Sequence, residues 1–149
     1  MNPNLRLGIA LLAGIIAAFI TIALIETAAH TVYPAPPGLD YSNPDILRQY
    51  VTALPVGAKL AVLAAWLFGT IDGVFVACLV NKGRYGLCAG VVGGLVLAAT
   101  IANMMFIPHP VWLAGAGIIG IPLAAFLVSR LMPHLLRQVC NHAERPGYA

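Results

Sequence analysis

The sequence predicts an all-α membrane protein: a bundle of four transmembrane helices, with a long loop after the first helix that carries a short helix of its own. Hydrophobic residues make up 60% of the chain and charged residues 9%, whereas a soluble protein carries about 25% charged residues. The mean hydropathy is +0.90. Four apolar runs each supply the roughly 20 residues that a membrane-crossing helix needs.

The four predicted spans follow one another with little chain to spare. They cover residues 7–29, 56–80, 87–107 and 111–131. Residues 1–149 are therefore expected to form one integral membrane domain that ends in a tail at 132–149. The first run is longer than the apolar part of a signal peptide and ends in Glu26 and His30, so it predicts a retained helix.

The loop between the first two spans contains a helix signal. In the stretch NPDILRQYVTAL, Asn43 is suited to cap a helix, Pro44 to occupy its first position, and Asp45 to lie at the positive end of its dipole. Apolar residues then recur at helical spacing: Ile46, Leu47, Tyr50, Val51 and Leu54. The pattern predicts a short helix on the surface of the bundle or of the membrane.

Lysine and arginine are unevenly distributed among the connections. Most of them lie before the first span, between the second and third, and after the fourth: Arg6, Lys82, Arg84, Arg130, Arg137 and Arg145. Because cytoplasmic segments carry the excess of positive charge, both termini are predicted to be cytoplasmic and the long loop periplasmic. This bias accounts for the net charge of +3. We therefore expect the lipid bilayer as partner, and no nucleic acid.

Small residues recur at every fourth position, as is typical of faces where helices approach closely in lipid. The two longest rows lie in the third and second spans: Gly86, Gly90, Gly94, Ala98, Ala102, and Ala61, Ala65, Gly69, Gly73, Ala77. These rows favour packing inside the bundle. The alternative is association with a second copy or a membrane partner, through Gly86, Gly90 and Gly94 or through Gly69 and Gly73.

Four polar residues are expected at the periplasmic end of the bundle. Glu26 and His30 are separated by four positions, so they share one face of the first helix. The third span runs in the same direction and brings Asn103 to a similar depth. His109 follows in the connection to the fourth span. The chain therefore collects four polar side chains from three places at one membrane face.

This predicted site has two interpretations. Glu26, His30 and His109 are of the types that bind a divalent metal such as Zn²⁺, Fe²⁺ or Mn²⁺, and Tyr33 and Asp40 on the loop are placed to cover them. In the structural interpretation, Glu26 is protonated or hydrogen-bonded to Asn103, and the histidines cap helix ends at the membrane–water interface. The HExxH motif of zinc proteases is absent from the sequence.

Asp72 is a second candidate, near the middle of the second span. A carboxylate at that depth costs roughly 2.5–3.5 kcal/mol on insertion scales, so it is expected to face the interior of the bundle. It is either part of a proton path or a structural group bonded to Thr70, Thr100 or a backbone carbonyl. No nucleophile–base pair, phosphate-binding loop or CxxC pair occurs in the sequence, so an enzyme is the less favoured class.

The combination of motifs resembles an uncharacterised family of small four-span bacterial inner-membrane proteins. The resemblance rests on E-x3-H, Y-P-x-P-x-G-x-D and I-P-H-P-x-W motifs, with Trp and Gly in the second helix. The matching positions are Glu26, His30, Tyr33, Pro34, Pro36, Gly38, Asp40, Trp66, Gly69, Ile107, Pro108, His109, Pro110 and Trp112. It covers residues 7–130 and implies a bacterial inner membrane, but no reaction. Asp72 is not part of the family pattern.

The sequence thus predicts a small integral membrane protein with a periplasm-facing Glu/His/His site. The site is expected to bind a divalent metal ion or a small ligand, and assistance to transport is one role that such a site serves. The alternative is a structural or interaction subunit that binds no ligand and associates through its glycine-rich helix faces.

Overall fold

The computed structural model describes residues 2–40 and 42–143, and all regular structure in these two ranges is helical. The five helices are α1 (Pro3–Val32), α2 (Pro44–Ala53), α3 (Val56–Val80), α4 (Tyr85–Phe106) and α5 (Val111–Ala143). By length and composition, α1, α3, α4 and α5 could each cross a membrane. The predicted all-helical fold, with four long apolar helices and one short helix, is confirmed.

The bounds of the long helices agree with the apolar runs and in part exceed them. α3 has the predicted bounds, whereas α1 begins at Pro3, where the side chain of Asn2 caps the helix. α5 contains Pro122 and Pro133 and continues past residue 131 to Ala143. The first part of the predicted tail is therefore a continuation of the fourth long helix.

α3 is the central helix of the bundle, because it packs against α1, α4 and α5. Its Trp66 is 3% exposed and belongs to a buried apolar cluster with Val96 of α4 and Leu113 of α5. The outer surface is also apolar, with Leu24 66% exposed and Ile119 70% exposed. Such a surface is unfavourable in water and suited to lipid.

The α1–α3 contact is formed by small residues, as the row in the second span predicts. An added Cβ at Gly73 would lie 2.6 Å from the carbonyl oxygen of Gly14 and 2.7 Å from the Cβ of Ala18. An added Cβ at Gly69 would lie 2.9 Å from the Ala18 carbonyl oxygen. The two backbones approach so closely that only glycine fits at these positions of α3.

The small-residue row of α4 does not pack inside the bundle, contrary to the favoured interpretation. An added Cβ at Gly86, Gly90 or Gly94 would meet nothing within 4 Å. The buried face of α4 is instead the neighbouring one, which contains Val92 and Gly93. The spacing shows that a face permits close approach, but it does not say which neighbour uses it.

The short helix α2 has the predicted start. The Asn43 side chain accepts hydrogen bonds from the backbone N–H groups of Asp45 at 3.0 Å and Ile46 at 3.4 Å. Leu47 and Val51 are buried, so α2 turns its apolar stripe toward the bundle. Among the described residues, no other helix packs extensively against α2 along the backbone, and a cavity lies in the space beneath this helix.

Candidate functional site

A cavity of about 590 Å³ lies at the end of the bundle where α1 and α4 finish and α3 and α5 begin. All five helices contribute to its wall, with α2 lying over it. The apolar part of the lining comes from Ala29, Pro44, Leu47, Val51, Leu54, Ala58, Val62, Phe106, Ile107 and Leu113. The volume falls in the range of roughly 300–1,000 Å³ that is typical of small-molecule sites.

Five of the residues singled out from the sequence line this one cavity. They are Glu26, His30, Tyr33, Asn103 and His109. Glu26, Asn103 and His109 are half-buried, whereas His30 is exposed at the rim. Within the described part of the chain, Glu26 makes no hydrogen bond to Asn103, so that part of the structural interpretation is not found, while its other option, a protonated Glu26, stays a prediction.

The ring of His109 is fixed from two sides. Its Nδ1 lies 2.6 Å from the carbonyl oxygen of Ile107, and its centroid lies 5.6 Å from that of Trp66. Because a carbonyl oxygen only accepts hydrogen bonds, Nδ1 must carry a proton. In the neutral ring, Nε2 is then an acceptor. The hydrogen bond thus leaves Nε2 as the ring nitrogen that is able to contact a ligand.

Tyr33 closes the cavity between α1 and α3. It is the C-terminal cap of α1, and its backbone N–H donates to the carbonyl of Ala29 at 2.8 Å. Its hydroxyl oxygen occupies the space where a side chain at Gly57 would begin. A side chain at Gly57, in the first turn of α3, would therefore displace the phenol ring from this position.

Three polar lining residues were not singled out as site residues: Ser42, Tyr50 and Lys59. Lys59 is half-buried, and its Nζ donates to the Thr52 carbonyl at 3.0 Å, which ties α3 to the end of α2. A signal for Lys59 was present, since it lies one turn into the second span at the same membrane face as Glu26. The lining therefore combines an acid, a lysine and two histidines with apolar walls.

Asp40 does not line the cavity but holds a residue that does. Its carboxylate accepts hydrogen bonds from the hydroxyl of Ser42 at 2.6 Å and from the Ser42 backbone N–H at 2.9 Å. The two bonds lower the pKa of this exposed carboxyl below its usual value, and the bond from the hydroxyl contributes more than the backbone bond. Asp40 thus orders the loop. Ser42 lines the cavity at the place that was predicted for Asp40.

Asp72 also lies away from the cavity. Its Oδ2 accepts a hydrogen bond from the Thr21 hydroxyl of α1 at 2.8 Å. The expected hydrogen bonds of Asp72 with Thr70 of α3 and Thr100 of α4 are not found among the described residues. The Thr70 hydroxyl donates to the carbonyl of Trp66 instead. Asp72 joins α1 to α3, and no hydrogen bond among the described residues links it to Glu26.

No group of three His, Cys, Asp or Glu side chains in the described part of the chain is placed to hold a metal ion. Glu26, His30 and His109 share a cavity without forming such a group. Metal binding by these three residues therefore stays a prediction from the sequence.

Comparison with protein-family models, with curated proteins and with solved structures finds no match to this chain. The resemblance to the four-span inner-membrane family stays a prediction. What the fold defines is a class: an all-helical protein with four helices that could span a membrane and with a cavity at one end of the bundle.

Proposed function

We propose that this protein is a small integral membrane protein that binds an amphipathic small molecule in the cavity beneath α2. The observation that carries the proposal is the convergence of all five helices on one space of about 590 Å³. Apolar side chains form most of its wall, and a few polar groups stand at fixed places. This is the usual composition of a ligand site.

The polar groups indicate the chemistry of the ligand. Glu26 is half-buried in α1, and His109 lines the same space from the connection between α4 and α5. A head group with hydrogen-bond donors and acceptors satisfies both. The apolar body of the ligand then packs against Leu47, Val51 and Val62. Polar groups in such a site fix orientation, while the apolar area supplies affinity.

The positive-inside rule supports a periplasmic position for the cavity. Arg6, Lys82, Arg84, Arg130 and Arg137 all belong to the opposite end of the bundle. In this proposal the protein lies in a bacterial inner membrane with both termini in the cytoplasm, and its ligand enters from the periplasm. The same position suits a protein that assists transport.

The test compares what the purified protein carries when one side chain narrows the cavity. Ala29 lines the cavity, and its neighbour Ala28 is exposed and does not. Mass spectrometry of solvent extracts should find an amphipathic compound in stoichiometric amount with the wild type and with Ala28→Phe. Ala29→Phe should lose it. Equal amounts of the compound in the extracts of the two variants would contradict the proposal. So would the absence of any bound compound from the wild type and both variants.

A further inference from the structure

A second cavity of about 730 Å³ forms a groove between α4 and α5, and it shares no lining residue with the first. The groove forms because both helices have small residues here, whose side chains do not fill the space between them. The helices meet at the base of the groove, where an added Cβ at Gly93 would lie 2.7 Å from the Cβ of Ala125. Gly86, Gly90 and Gly94 form the adjoining wall, and nothing lies within 4 Å of where their side chains would begin.

The groove ends in positive charge. Ser129, Arg130 and His134 line it at the end where α4 begins, beside Gly83. The guanidinium of Arg130 lies 5.0 Å from the centroid of the Phe126 ring, an arrangement that orients it by cation–π attraction. Lys82 and Arg84 flank Gly83 in the chain, and no Asp or Glu occurs between residues 73 and 143. These cations therefore have no acidic side chain on α4 or α5.

Arg130 also stands at the right depth for a lipid head group. It is 19 residues after Val111, which is about 29 Å along the axis of α5 at 1.5 Å per residue. The hydrocarbon layer of a bilayer is about 30 Å thick. With the start of α5 at one membrane surface, Arg130 reaches the phosphate level of the other.

We infer that this groove binds an anionic phospholipid. The phosphate lies against Arg130 and His134, and one acyl chain lies along the open glycine row toward Leu97 and Pro122. Basic pockets between transmembrane helices are a recurrent form of head-group site. A second copy fits less well, because two-fold pairing about the membrane normal through this face brings the same cations of both copies together.

The test is native mass spectrometry of the full-length protein in detergent, titrated with phosphatidylglycerol or with phosphatidylcholine of the same acyl chains. Phosphatidylglycerol should bind the wild type at least about fivefold more tightly, as expected for one cation at the membrane surface. Arg130→Gln should remove this preference. Arg137→Gln removes the same charge about two turns further along α5, at an exposed residue that does not line the groove, and should keep it.

The acyl-chain part of the inference is tested by filling the groove. Gly90→Leu should lower the affinity for both lipids, whereas Gly8→Leu, on the open side of α1, should leave it unchanged. Equal binding of the two lipids by the wild type would overturn the inference. So would an equal effect of Arg130→Gln and Arg137→Gln, displacement of the lipid by inorganic phosphate alone, or a dimer that Gly90→Leu abolishes.

Discussion

Asp40 and Ser42 illustrate how a residue outside a site determines its shape. The carboxylate of Asp40 accepts both the hydroxyl and the backbone N–H of Ser42. Ser42 in turn lines the cavity at the point where the loop enters α2. Because the two bonds favour the charged carboxylate, the pKa of Asp40 is below its usual value. The loop conformation is accordingly most stable when Asp40 is ionised.

Removing the hydroxyl should therefore raise the pKa of Asp40 toward its usual value. We expect this for Ser42→Ala, in which the backbone bond remains, so the rise should be partial. Thr52→Ala is the control, since that hydroxyl donates to the Arg48 carbonyl within α2. The measurement is a carboxyl-carbon NMR titration of the two variants and the wild type. An unchanged titration of Asp40 in Ser42→Ala would contradict the assignment.

The sign of the pH dependence follows from the same pair. A carboxyl whose pKa is lowered by folding contributes its stabilisation fully above its unfolded-state pKa. The contribution is lost as the pH falls below that value and through the lowered folded-state pKa. The loop above the cavity should therefore be less stable in acid than at neutral pH. This pH dependence should be smaller in Ser42→Ala.

At the scale of helices, the two glycine rows have opposite environments. Gly73 faces the backbone of α1 at a distance that leaves no room for a methyl group, whereas Gly90 faces open space. Both are mid-helix glycines with the same intrinsic cost to helix formation. A comparison of the two positions therefore separates packing from propensity.

Gly73→Ala should lower the free energy of unfolding by about 1–3 kcal/mol, because α1 and α3 must move apart to admit the methyl group. Gly90→Ala should leave it unchanged or raise it slightly. Unfolding of both variants in mixed micelles with increasing sodium dodecyl sulfate measures these differences. If Gly90→Ala proves to be the more destabilised protein, the assignment of the two faces must be exchanged.

Local signals predicted helices well and helix neighbours poorly. The start of α2 is determined by Asn43 and Pro44 within one turn, so the sequence was sufficient to place it. The partner of Asp72 depends instead on how α1 is rotated against α3, which no local pattern records. The same holds for the α4 glycine row, whose spacing permits a contact that the described chain does not make.

Much of the cavity was predictable because chain direction alone determines the height of each residue. Glu26 and Asn103 lie near the ends of helices that run the same way, and His109 follows directly after one of them. Lys59 was not predicted as a site residue, although its position one turn into the second span places it at the same height. The exclusion of Asp40 could not be predicted, since it depends on hydrogen bonds within an irregular loop.

At the scale of the whole molecule, the charges define one end of the bundle and the cavity the other. The proposed orientation places Ser42 in the periplasm and Gln138 in the cytoplasm. In a chain whose three native cysteines are replaced by alanine, Ser42→Cys should react with a membrane-impermeant maleimide in intact cells. Gln138→Cys should react only after the membrane is opened. The reverse pattern would place the cavity on the cytoplasmic side.

The central claim is that His30 and His109, distant in sequence, face one cavity. It is tested most directly by cross-linking in the same cysteine-free chain, with a short rigid bis-maleimide. Val111 is the matched control: it is two residues from His109, is 89% exposed and does not line the cavity. The structure predicts efficient linkage of His30→Cys with His109→Cys and little with Val111→Cys. Equal linkage of both pairs, or preferential linkage to position 111, would show that the two histidines do not share a site.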